Sequence, residues 1–275
     1  MGLTGVISGV VSRPRKIVLY GTDGIGKTTW AAGAPNPIFL PTEDGCNDVG
    51  VARFPLIKSF GEFNSRISEV LTQEHEYRTL VIDTADWLER LIWEAVAQEH
   101  GKNDIEEIGY AKGPKHAVGK WAFVLKSLDH IVHTRKMAVI LLAHAKVEKM
   151  DPPDNDPYNV YNLDLHASLA PMIREWADEV LFANFKTFVV KKDTDKGFGQ
   201  KRSLGVGGID RVVHTCGTAS HYGKRRIPMP DEIEMEFSEY MKHVVAAKPK
   251  RGDIDCNIDG VVMNGSSKQE ATANG

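Results

Sequence analysis

Nine consecutive residues, Gly21-Thr22-Asp23-Gly24-Ile25-Gly26-Lys27-Thr28-Thr29, have the types and spacing to hold a polyphosphate. They satisfy G-x-x-x-x-G-K-[ST], the phosphate-binding loop (Walker A) pattern, at every fixed position. Glycine has no Cβ, so the backbone can curl until successive N–H groups point at one anion. Lys27 adds a point charge for the outer phosphates, and the Thr28 hydroxyl offers a ligand to Mg²⁺. All nine residues are therefore candidate nucleotide contacts, with ATP and Mg²⁺ as the expected ligands. A glycine-rich turn with no such role is the alternative, and the flanking sequence argues against it. Ile17-Val18-Leu19-Tyr20 reads as a buried strand running into the loop. Thr28–Ala34 reads as a helix whose positive N-terminus lies under the phosphates.

The elements that must hold such a loop recur along the chain. Apolar runs at 16–20, 37–40, 79–83, 137–143 and 178–183 alternate with helical stretches at 60–76, 85–100, 116–135 and 163–176. That alternation predicts an α/β fold, a mainly parallel sheet flanked by helices. Thr187–Val190 and Arg211–Thr215 flank a polar Gly/Lys/Asp segment and read as a C-terminal antiparallel hairpin with a mobile tip. A short strand or helix follows near 232–243. The expected organisation is a flexible arm over 1–15, an ATPase-type domain over 16–245, and a disordered tail over 246–275 that is poor in apolar residues.

Composition bounds the rest. A chain of 275 residues with net charge −3 has no global attraction to nucleic acid, so any such contact must be a local basic patch. Cys46, Cys216 and Cys256 are scattered, which fits reduced thiols in a cytosol better than a disulfide frame. No apolar run is long enough to cross a bilayer, and the N-terminus has no signal-peptide pattern, so a cytoplasmic protein is expected.

Three strand ends carry further polar residues. Thr79-Leu80-Val81-Ile82 ends in Asp83, which either holds the Mg²⁺ shell beside the loop or caps the helix that begins near Ala85. Ile38-Phe39-Leu40 leads into Thr42-Glu43-Asp44-Gly45. Glu43 there can orient a water and accept its proton, with Asp44 as the neighbouring candidate and a solvated turn as the plainer reading. Met137–Ala143 ends in His144, positioned to contact the γ-phosphate or the attacking water, or simply to be a hydrogen-bonded strand end. Gly223-Lys224-Arg225-Arg226-Ile227-Pro228 is either a solvated basic turn or a source of cations for a γ-phosphate.

Together these blocks resemble the phage-encoded, core-only RecA-like ATPases, the P-loop branch of the single-strand annealing (Sak) recombination proteins. The resemblance spans roughly residues 15–240 and rests on the P-loop, Thr42–Gly45, Leu80–Thr84, Ile108–Gly113, Leu142–His144, Glu175–Asp178 and Gly223–Pro230. Ala111 stands where the family's Gly-Tyr-Gly-Lys-Gly block has its central glycine. The closing block keeps its first and third cation positions in Lys224 and Arg226. The resemblance implies a RecA-like ATPase acting on single-stranded DNA in phage recombination or replication, in the host cytoplasm if phage-encoded. It implies Glu43 as the residue that polarises the attacking water. It also implies that Lys224 and Arg226 are inserted into a neighbour's ATP site, giving a homo-oligomer with shared sites. A nucleotide-binding module that anneals strands or binds a partner without hydrolysis is the alternative.

DNA would then meet two loops, 101–120 and 145–162, with ordinary solvated loops as the alternative for both. The first offers Lys102, Tyr110, Lys112 and Lys115, cations interleaved with an aromatic as single strands favour. The second offers Lys146 and Lys149, diluted by Asp151, Asp154 and Asp156. Residues 191–202 form another basic candidate, and a single-strand-binding protein is a candidate partner of the tail.

Overall fold

The structure is a computed structural model that describes residues 5–6, 9, 11–109, 112–154, 156–191 and 203–247, with backbone alone for 187–191 and 203–207. Tyr110, the basic segment 192–202 and most of the expected tail lie outside the described residues. Residues 13–247 form one unit.

The sheet grows from runs of aliphatic residues that are buried on both faces, as central parallel strands require. The strands are β1 (Lys16–Gly21), β2 (Pro37–Pro41), β3 (Ala52–Arg53), β4 (Thr79–Asp83), β5 (Ala138–Met150), β6 (Tyr158–Leu163), β7 (Glu179–Lys191), β8 (Ser203–His214) and β9 (Glu232–Glu234). Their order is β3-β2-β4-β5-β1-β7-β8-β9, with β6 pairing β5 off this path. β1 therefore lies between β5 and β7, parallel to both. The expected α/β architecture with an antiparallel C-terminal extension is the one observed.

Alternate residues of each strand feed two cores. Val18, Tyr20, Leu80, Ile82, Leu141, Val180 and Phe182 pack with α2 (Phe60–Thr72), α3 (Ala85–Glu99), α4 (Lys112–His130) and α5 (Leu169–Trp176). Ile17, Leu19, Val81, Ile140, Leu142 and Leu181 face α1 (Lys27–Ala32) and α6 (Phe237–Ala246). The second core pins the loop helix: Trp30 of α1 meets Phe237 at 4.8 Å and Tyr240 at 5.8 Å between ring centroids. Among the described residues no helix is long and apolar enough to cross a membrane.

Several boundaries differ from expectation. β5 continues to Met150 and pairs antiparallel with β6, so much of 145–162 is a hairpin and not an open loop. Its polar alternation (Lys146, Glu148, Met150 against Val147, Lys149) is a strand pattern without a buried face on both sides. The helix expected from residue 163 starts at Leu169, because 158–163 is β6. α4 begins at Lys112, which places Lys112 and Lys115 in a helical first turn.

Arg13 and Arg15, expected in a loose arm, are tied down. Asp178 and Glu179 enter β7 with fully buried side chains. Arg13 donates to Asp178 at 2.5 Å, and Arg15 grips both oxygens of Glu179. Burial pushes the Glu179 carboxyl up while Arg15 holds it down. Removing one partner of a buried pair leaves an uncompensated charge, so Arg15→Ala should cost about 3 kcal/mol, read as a lowered urea midpoint at neutral pH.

Candidate nucleotide and metal site

The loop between β1 and α1 is shaped by its glycines. Gly24 and Gly26 have φ of +69° and +102°, in the left-handed region that side chains resist. Gly21 is fixed by packing, since a Cβ there would stand 2.4 Å from the Ala183 carbonyl of β7. Lys27 is buried, and its ammonium donates to the carbonyls of Gly21 (3.2 Å) and Thr22 (3.1 Å). Burial lowers its pKa, and the nearby carboxylates Asp23, Glu43, Asp86 and Asp83 oppose that shift.

Strand register brings Asp83 and His144 to the same edge of the sheet. Gly21 pairs with His144, and Asp83 pairs with Pro41 on one side and Leu142 on the other. Asp83 turns to the loop: Thr28 Oγ1 donates to its Oδ2 at 2.8 Å, and the Cys46 thiol donates to the same oxygen at 3.1 Å. Thr84, not Asp83, occupies the N-cap of α3. Asp83 Oδ1 is buried with no hydrogen-bond partner among the described residues. A buried, unsatisfied carboxylate oxygen beside a threonine hydroxyl is a hard-oxygen pair that fits Mg²⁺.

Glu43 is placed by the end of β2. The amides of Thr42 and Glu43 donate to the Asp83 carbonyl (2.8 and 3.3 Å), and Thr42 Oγ1 donates to the Thr84 carbonyl at 2.7 Å. Burial raises the Glu43 carboxyl above its ordinary value; His144 pulls it down, and Asp83 and Asp86 push it further up. Asp44 instead bonds Asn47 at the surface.

His144 is fixed by a residue that sequence reading passed over. Asp86, in the first turn of α3, accepts from the His144 amide at 3.0 Å and pairs with Nδ1 at 2.8 Å. Nε2 then faces the loop, 3.5 Å from Asp23 and 3.9 Å from Glu43. The hydrogen bond to Asp86 raises the imidazole pKa above its ordinary value. Glu43, Asp86 and His144 thus cluster with ligand atoms within 4.8 Å. With Nδ1 held by Asp86, the trio reads as a carboxylate-oriented imidazole facing a second carboxylate. Acids in a helix's first turn are common, so only the spacing Asp83–Asp86 across a strand end could have singled out Asp86.

Asp86→Asn keeps the shape but removes one of the two acceptor oxygens. The expected outcome is a His144 that titrates at lower pH in ring-proton NMR, with ATP turnover reduced about tenfold.

The remaining candidates lie elsewhere. Lys224 donates to the carbonyls of Arg174 (3.0 Å), Glu175 (2.9 Å) and Ala177 (2.7 Å), closing the C-terminus of α5. Arg226 lies 3.4 Å from Asp178 with its side chain 53% exposed. Both sit where β1 and β7 begin, the end of the sheet opposite their own P-loop. Lys102, Lys112, Lys115 and Lys149 are exposed, whereas Lys146 bonds the Leu165 carbonyl and lies 3.5 Å from Glu148.

A SPbeta prophage-derived uncharacterized protein, YorG, of Bacillus subtilis (strain 168) is 26% identical over 231 residues, 81% of this chain. The chain spans 62% of that relative's length. A crystal structure of the RadB recombinase aligns with a TM-score of 0.38 and 15% identity, covering 62% of this chain and 75% of that one. Residues 13–227 match the AAA domain family AAA_24, and the chain belongs to that family of P-loop NTPases.

Proposed function

We propose that the protein hydrolyses ATP with Mg²⁺ and uses the cycle to act on single-stranded DNA in phage recombination or replication. The observation that carries the hydrolytic part is the convergence of Asp83, Glu43 and His144 on the mouth of the P-loop. Thr28 and Asp83 would hold the metal, which when bound supplies charge neutralisation at the phosphates. Glu43 orients the attacking water and takes its proton. His144, held by Asp86, presents Nε2 to the same space and reports its contents.

β5 supports the link to DNA. It runs without a break from His144 to Lys149, so a change at the phosphate end is passed along one strand into the β5–β6 hairpin. Lys149 on that hairpin, with Lys102, Lys112 and Lys115 near the start of α4, supplies cations for a phosphate backbone. Lys224 and Arg226 cannot serve their own P-loop from the opposite end of the sheet. A second copy is the reading under which they would meet a nucleotide, Arg226 being the more exposed.

The test is the ATPase rate with and without single-stranded oligonucleotide, alongside particle size by light scattering. Faster turnover with DNA and a larger particle with ATP are expected. Protein that shifts no single-stranded oligonucleotide at low salt, with or without ATP, sinks the DNA half of the reading.

A further inference from the structure

We propose that Arg211 is a second phosphate-binding cation of the nucleotide site, supplied by the same chain from β8. Its Nη1 donates to the Ile25 carbonyl at 3.3 Å, inside the P-loop. The same nitrogen lies 2.6 Å from where a Cβ on Gly26 would stand, so the guanidinium rests directly on that glycine. Val213, two residues on, packs in the core shared with α1, which places Arg211 on the α1 face of the sheet.

Charge makes this placement informative. Arg13, Arg15, Arg66, Arg135, Arg225 and Arg226 each have a carboxylate within ion-pair distance. Arg211 has none among the described residues, although Asp210, Glu232, Glu234 and Glu236 line the same recess of about 640 Å³. Arg53, Arg78, Arg90 and Arg174 share that lack, and what sets Arg211 apart from them is its hydrogen bond to the P-loop. Its side chain turns to a loop carbonyl instead and stays exposed. A guanidinium presents five donors in a fork suited to phosphate oxygens. At an anion-binding loop, one without a carboxylate partner is free to take them. The site also has use for the charge, because Asp23, Glu43, Asp83 and Asp86 gather around Lys27 with His144 as the other nearby base.

This inference rests on the nucleotide reading above. Calorimetric titration of the full chain with Mg²⁺–ATP and with inorganic triphosphate tests it, on wild type, Arg211→Ala, Arg211→Gln and Arg211→Lys. Gln retains a donor for the Ile25 carbonyl but no charge. The expected result is at least a tenfold loss of affinity for both ligands in Ala and Gln, with partial retention in Lys. Unchanged thermal unfolding of the unliganded variants would show that the loss is local. If Arg211→Gln binds both ligands within twofold of wild type, the residue merely props the loop and the inference fails. It also fails if ATP weakens but triphosphate does not, since the contact would then be to the nucleoside. Wild type that binds neither ligand overturns the nucleotide reading itself, and this inference with it.

Discussion

Glu43→Gln should bind ATP with unchanged affinity and turn it over at least about a hundredfold more slowly. Gln keeps the size and hydrogen-bonding reach of Glu43 and loses the ability to accept a proton. The backbone that places residue 43 is independent of its side chain, because the amides of Thr42 and Glu43 bond the Asp83 carbonyl. The variant therefore keeps the metal ligand and the loop in position. Phosphate release measures turnover and calorimetry measures binding, so the two effects separate. A protein that only binds nucleotide would change little in either. The pH dependence gives a second check. A general base works only when ionised, and burial has raised the Glu43 carboxyl. Wild-type turnover should thus fall, as pH is lowered, at a higher pH than an ordinary carboxylate near 4.3 would give. The residual rate of Glu43→Gln should lack that limb.

What the sequence could disclose follows from how parallel sheets are built. Strands of one direction bring their C-terminal ends to one edge, so a polar residue closing an apolar run is placed near the loop by topology alone. Asp83, His144 and Glu43 were legible for that reason: Asp83 pairs with Leu142, two residues before His144, and Glu43 follows β2 with its amide on the Asp83 carbonyl. Residues whose position depends on side-chain reach across elements were not. Asp86 looks like any acid in a helix's first turn, and its meaning lies in the two hydrogen bonds it makes to His144. Arg211 reaches Ile25 from β8, where it pairs with Phe185 beside a register irregularity that no local pattern fixes. Cys46 reads as an isolated thiol, yet it shares Asp83 Oδ2 with Thr28. Lys224 shows the opposite error: a cation beside prolines reads as free, and the fold binds it to three carbonyls. The β5–β6 hairpin escaped notice because a half-exposed polar strand carries a weaker apolar signal than a buried one.

Lys27→Ala should nearly abolish ATP binding, and the charge balance of the site says why the effect is large. Truncating one partner of a buried charged contact costs about 2–5 kcal/mol. At 1.4 kcal/mol per decade, that is between about thirtyfold and several thousandfold in affinity. The upper end applies here. Asp23, Glu43, Asp83 and Asp86 all act on Lys27, and without it a triphosphate would approach four carboxylates opposed by His144 and Arg211. For the same reason ATP binding should require Mg²⁺ in wild type, since Asp83 Oδ1 has no donor among the described residues to neutralise it. Chelation should therefore weaken wild-type binding sharply and leave the residual binding of Lys27→Ala little changed. The loss should not be a loss of fold. Among the described residues Lys27 bonds the carbonyls of Gly21 and Thr22, while α1 is held by Trp30 against Phe237 and Tyr240. Thermal unfolding of the unliganded variant should accordingly stay close to wild type, and ATP should stabilise wild type alone, since a ligand raises stability only as far as it binds the folded state. A variant that unfolds like wild type and still binds Mg²⁺–ATP within threefold would remove Lys27 from the site.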